Sequence, residues 1–145
     1  MFTHFLVPTD GSPLSAKAAQ AAVELAQKTG ARITVLSVAE PYPYSALGEG
    51  AFLPDQPEYE AKMRELAQRA VEAAAALARA ANVSCETRIA DGFSPSEEIV
   101  RLAGALGCDA IFMASHGRKG LNRLFVGSET QKVLAHTNLP VMVFR

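Results

Sequence analysis

Neither common nucleotide-binding fingerprint is present in this chain: G-x-x-x-x-G-K-[ST] and G-x-G-x-x-G occur nowhere in its 145 residues. Cysteine is scarce, and Cys85 and Cys108 stand alone, without a C-x-x-C pair or a histidine at ligand spacing. That pattern argues against a structural metal and reads as two small buried hydrophobes in a reducing compartment. Charge of one sign is lacking too. Lys and Arg total 14 against 15 Asp and Glu, a net charge of -1, so no long-range field draws nucleic acid or an anionic membrane. Any cation cluster must act locally. No apolar run approaches membrane-spanning length, and Pro8 and Asp10 interrupt the N-terminus before a signal-peptide core forms. A soluble, cytoplasmic protein is expected, with neither nucleic acid nor membrane as partner.

What the chain does contain is an alternation of short apolar runs and amphipathic stretches, in one domain spanning 1–145 and long enough to bury about two-thirds of its unfolded surface. Phe2 to Val7 reads as a strand ending in Pro8-Thr9-Asp10-Gly11-Ser12-Pro13. Ser12 as N-cap and Pro13 at the first helical position then start a helix with Leu14, Ala18, Ala21, Ala22 and Leu25 on one face, stopped at Gly30. Ala31 to Ala39 is nearly continuously apolar, the signature of a parallel strand buried on both sides. The proline-rich segment from Glu40 to Pro57 has no periodicity, and its Tyr42, Tyr44 and Phe52 either cover a ligand or pack on the surface. From about Glu58 to Ala81 a helix carries Tyr59, Met63, Leu66, Ala70, Ala74, Leu77 and Ala81 along one stripe, expected to be core. Val83 to Ala90 alternates weakly, as near a sheet edge. Ser94-Pro95-Ser96-Glu97 is a capping box for a helix reaching about Leu106, Ala110 to Ala114 is a buried strand, Ser128 to His136 a last helix, and Val141 to Phe144 a last strand.

Five strands alternating with four helices predict an α/β fold, a doubly wound parallel sheet with helices on both faces. In such a sheet the crevice lies where the winding reverses, at the strands' C-terminal ends; with the order 3-2-1-4-5, one of those the alternation permits, these are the ends of the first and fourth strands. The turns Pro8 to Ser12 and Ala114 to Ser128 meet there. The second turn contains Ser115, His116, Gly117, Arg118, Lys119, Gly120 and Arg123, and it runs into Ser128, an N-cap type with Gln131 at the capping-box position. Small residues, cations and a helix N-terminus together read as an anion seat, of the kind that takes phosphate. The same glycines serve equally to supply positive φ in a surface loop, and the same cations serve as solvated charges. Asp10 suits either a ribose hydroxyl or Mg2+, or a plain turn.

The stretch resembles the universal stress protein family, whose nucleotide-binding members carry G-x-x-G, nine residues, then G-[ST]. Here it stands as Ala114-Ser115-His116-Gly117, then Arg118 to Val126, then Gly127-Ser128, with alanine at the first glycine. The opening L-V-P-T-D-G-S, the strand I-T-V-L-S-V-A-E and the closing N-L-P-V-M-V-F-R also match in type and order, so the likeness covers nearly the whole chain. It implies a Rossmann-like five-stranded sheet in the order 3-2-1-4-5 and a small ATP-binding module of the stress response, with Mg2+ near Asp10. By resemblance Thr9, Asp10, Val38 and Met113 surround adenine and ribose, and Gly117, Gly127, Ser128 and Thr130 hold phosphates. Pro8, Ala114, His116, Arg118, Gly120 and Glu129 complete the cofactor-binding set. The resemblance also implies a homodimer through the C-terminal strand, residues 140–145. No catalytic group is named, and ATP turnover is expected to be very slow at most. Two alternatives stand beside this. One is a dimeric interaction protein of the same family that does not bind ATP, motivated by Ala114. The other is a hydrolase with Ser115, Glu129 and His136 in serine-acid-histidine order, which fails because Glu129 and His136 are about 10 Å apart along one helix.

Overall fold

The computed structural model describes residues 1–43, 55–117 and 126–145. Its elements run β1 (His4–Pro8), α1 (Pro13–Thr29), β2 (Arg32–Ala39), α2 (Gln56–Ala80), β3 (Cys85–Asp91), α3 (Pro95–Ala105), β4 (Ala110–Ala114), α4 (Ser128–His136) and β5 (Val141–Phe144). All strand pairs are parallel and the order is β3-β2-β1-β4-β5, the one the resemblance implied, so the winding reverses between β1 and β4. Strand alternation sorts the core onto two faces. Phe5, Val7, Ile33, Val35 and Phe112 pack with α1 and α2, while Leu6, Leu36, Ile111 and Met113 pack with α3 and α4. The first face is tied by ring contacts, Phe5 to Phe112 at 4.8 Å and Phe112 to Phe144 at 6.3 Å between centroids.

The ends of α1 follow local chemistry. Ser12 accepts from the Ser15 amide at 3.2 Å, Pro13 occupies the first turn, and Gly30 takes φ +76° while its amide reaches the Ala26 carbonyl at 2.8 Å. The buried face of α1 is rotated from the expected one: Ser15, Ala18, Ala19, Ala22, Val23 and Ala26 meet the sheet, and Leu14, Ala21 and Leu25 lie half-buried at its margin. Small side chains allow the closest approach, so the alanines turn inward. Of the expected α2 stripe only Ala70 and Ala74 are buried, joined by Ala67 and Ala78; Leu77 and Ala81 are half-buried, and Tyr59, Met63 and Leu66 are half-buried and open onto a cleft.

Two caps also differ from expectation. Ser128 is the first residue of α4 and Gly127 takes the cap position, because the Ser115 carbonyl accepts the Gly127 amide at 2.8 Å; the Gln131 side chain donates to the Val126 carbonyl instead of closing a capping box. Ser94 precedes α3 without a side-chain cap bond, and its hydroxyl pairs with that of Ser96 at 3.2 Å. β3 lies at one edge of the sheet and is only partly buried; β5 forms the other edge, with Met142 48% exposed. Both cysteines are free, Cys85 packing on the α1/α2 face and Cys108 on the α3/α4 face. No helix among the described residues is long and apolar enough to cross a membrane.

Candidate functional site

The turns after β1 and β4 converge on two glycines. Asp10 accepts from the Ser12 amide through Oδ1 at 2.9 Å, while Oδ2 lies so close to Gly117 that a Cβ there would stand 2.7 Å from it. A Cβ on Gly127 would stand 2.7 Å from the Ser115 carbonyl oxygen. Neither glycine has positive φ; among the described glycines only Gly11, Gly30 and Gly107 do. Gly127 is therefore required for space and not for conformation, whereas a Cβ on Gly117 would have only the tip of Asp10 to displace. Ser115 is the hub of the second turn. Its amide donates to the Phe144 carbonyl at 2.7 Å, its carbonyl accepts from Gly127 N and from Thr130 Oγ1 at 3.2 Å, and its hydroxyl meets His116 Nδ1 at 2.9 Å. Thr130 Oγ1 also donates to the Ala114 carbonyl at 2.9 Å, which locks the first turn of α4 onto the end of β4.

Beside these turns opens a cleft of about 770 Å3, within the usual range for small-molecule sites. Of the residues the resemblance assigns, Asp10, Val38, His116, Gly117, Gly127, Ser128, Glu129 and Thr130 line it. Pro8, Thr9, Met113 and Ala114 are not among its lining residues. Pro8 pairs with Leu36 in the sheet, and Thr9 is buried with its hydroxyl on Ser15 Oγ at 3.0 Å and on the Gly11 amide at 3.1 Å. Met113 belongs to the core under α3 and α4, and Ala114 pairs with Phe144. Arg118 and Gly120 lie outside the described residues, as do Lys119, Arg123, Tyr44 and Phe52. Tyr42 is described, and its ring meets Tyr59 edge-on at 5.6 Å.

Sequence reasoning missed the rest of the lining: Tyr59, Met63, Leu66 and Ala67 from α2, Ser37 from β2, Glu40 just after β2, and Gly92, Phe93 and Pro95 from the turn before α3 and the first residue of α3. The available signals were the bulky apolar start of the α2 stripe and the Gly92-to-Pro95 turn at a strand's carboxyl end. Ser115, omitted from the assigned set although it lies inside the motif, is also on the wall.

The described wall carries three carboxylates, Asp10, Glu40 and Glu129, and no lysine or arginine. Glu129 is already engaged: its Oε2 accepts from the Ser96 amide at 2.8 Å and its Oε1 from Lys132 Nζ at 3.1 Å. Burial pushes its carboxyl upward, but these donors outweigh burial and hold it below its ordinary value. No group of three or more His, Cys, Asp and Glu that could hold a metal is found among the described residues. The serine-acid-histidine set is not assembled either, since Ser115 pairs with His116, Glu129 with Ser96 and Lys132, and His136 Nδ1 donates to the Lys132 carbonyl at 2.7 Å.

Comparison with known proteins agrees with this architecture. The model of the Universal stress protein family matches residues 1–145. The universal stress protein YxiE of Bacillus subtilis is 32% identical over 149 residues, with all of both chains covered. Among solved structures, MJ0577 from Methanocaldococcus jannaschii superposes with a TM-score of 0.82 at 27% identity, covering 99% of this chain and 96% of that one. A universal stress protein in complex with cAMP shares the fold at a TM-score of 0.72 and 22% identity, covering 99% and 97%. Another, from Archaeoglobus fulgidus in complex with dAMP, does so at 0.70 and 17%, covering 100% and 98%. With the winding order, the small-residue turn after β4 and a match along the full length in agreement, the chain belongs to the universal stress protein family.

Proposed function

We propose that this chain is a cytoplasmic adenine-nucleotide-binding module of the stress response, a single domain that takes ATP, with Mg2+ beside Asp10, in the cleft between β1 and β4. The observation that carries the reading is the pair of glycines closed on Asp10 and on the Ser115 carbonyl. They let the two turns beside the cleft approach each other where a Cβ would collide with Asp10 or with the Ser115 carbonyl. Gly127 spends its amide on Ser115, while the first-turn amides of α4 at Ser128 and Glu129, which like those of any helix have no intrahelical partner, lie beside the cleft at the positive end of the helix. Phosphate oxygens fit that end. Glu129, bonded to the start of α3, is held by donors of its own and does not present a free carboxylate to the phosphates. The complexes of related folds with cAMP and dAMP support an adenine nucleotide as the ligand class.

In this reading the protein works by ligand-dependent state and not by turnover, and it pairs through β5, residues 140–145, whose outer edge would otherwise offer unpaired backbone and an exposed Met142. The interaction-protein alternative drew on Ala114, but Ala114 is not on the cleft wall, and its carbonyl serves Thr130 as a glycine carbonyl would. Mass spectrometry of what the denatured native protein releases is the test. Adenine nucleotide near one per chain is expected; an empty protein that also ignores added ATP returns the question to the alternative.

A further inference from the structure

The cleft that the first turn of α4 lines is also walled by Val38, Tyr59, Met63, Leu66 and Phe93, with Ser37 and Glu40 adding polar groups to the lining. Phe93 is the unusual member, since it is 67% exposed although its loop is tied on both sides. The Gly92 amide donates to the Ala39 carbonyl at 3.2 Å, and a Cβ on Gly92 would come within 2.9 Å of Glu98 Cγ, so the turn closes against α3. On the other side the Ser94 carbonyl accepts the Glu98 amide at 3.3 Å, and the Ser96 amide is held by Glu129 in the first turn of α4. A ring needed for folding would be buried. Here an anchored loop holds an exposed ring on the wall of the same cleft that the first turn of α4 lines.

We infer that Phe93 is a specificity-determining residue of this site, the ring on which the ligand's purine base stacks. The inference rests on the nucleotide reading above and adds the base seat to it. A flat heteroaromatic ring with polar edges matches an apolar wall bordered by Ser37 and Glu40. Because the loop is already fixed, little ordering cost offsets the stacking gain.

The chain contains no tryptophan, so Phe93→Trp installs a sole indole at the seat. ATP is expected to quench its fluorescence saturably, and ribose 5-phosphate, which lacks the base, to leave it unchanged. Phe93→Ala should melt with the wild type, because the ring is exposed, and lose about tenfold in ATP affinity by calorimetry, the size of one base stack. An affinity within about twofold of wild type, or equal quenching by ribose 5-phosphate, overturns the assignment of Phe93 and leaves the nucleotide reading standing. A folded wild type that binds no ATP overturns both.

Discussion

Replacing Gly127 by alanine separates space from conformation. At φ -61° and ψ 155° the backbone there is open to any residue, so the substitution meets no conformational penalty and, through the unfolded chain, gains about 0.4–1 kcal/mol. Against that stands a Cβ placed 2.7 Å from the Ser115 carbonyl oxygen, a backbone atom that also accepts from Thr130 Oγ1. Relief requires α4 to move off β4, an overpacking cost of about 1–3 kcal/mol, and weakens the Gly127–Ser115 hydrogen bond, worth about 1 kcal/mol. The net loss is about 2 kcal/mol, or roughly 6–8 °C in Tm for a chain of this size. Two controls fix the interpretation. At Gly30 nothing lies within 4 Å but φ is +76°, so Gly30→Ala should cost about 1 kcal/mol by strain alone and leave ATP binding intact. At Gly117 the Cβ meets only the tip of Asp10, which can turn, so Gly117→Ala should cost under about 1 kcal/mol in stability while disturbing the cleft. Thermal melts of the three variants, followed by circular dichroism, give the order. If Gly127→Ala melts within about 1 °C of wild type, the close approach of α4 to β4 is not a constraint and the reasoning fails.

Ala114→Gly should change ATP affinity by less than about tenfold by calorimetry, because Ala114 is not on the cleft wall. Burial first, then the Arg32 guanidinium, hold the His4 imidazole below its ordinary 6.5 and outweigh Asp109, the Leu106 carbonyl and Glu86. The unfolded chain then binds the extra proton first, so stability present above pH 6.5 is lost as the pH falls below it, and His4→Gln should flatten that part of a urea-midpoint profile. Burial, then Asp109, push the Cys108 thiol up to about 11, and burial raises Cys85 as well; Cys85, the more accessible of the two, should react first with a thiol reagent in the native state, and both should react as free thiols after denaturation. Sedimentation should show a dimer at micromolar concentration that Met142→Asp dissociates; a wild-type monomer there would count against β5 as the interface.

The parts of the fold that local chemistry decides were legible in the sequence. Ser12-Pro13 and Gly30 bound α1 as read, and Ala110 to Ala114 and Val141 to Phe144 are β4 and β5 to the residue. The strand order came from resemblance, since alternation alone permits several. What escaped was decided at long range. Alanine is apolar on every side of α1, so the pattern does not say which alanines face the sheet. The cap of α4 shifted to Gly127 because a carbonyl twelve residues earlier, at Ser115, claims its amide. Half of the candidate site was legible because it is one contiguous motif. The rest of the lining, with Tyr59, Met63 and Phe93, comes from a helix and a turn that reach the motif only through the winding of the sheet.

The central claim, that the cleft closed by Gly117 and Gly127 takes an adenine nucleotide, is tested most directly by calorimetric titration of the native protein with ATP and Mg2+. One site per chain is predicted, in the micromolar range or about -8 kcal/mol, and no heat from a folded Gly127→Val variant whose branched side chain fills the approach to Ser115. A folded wild type that gives no heat with ATP, or a Gly127→Val protein that binds as the wild type does, would contradict it.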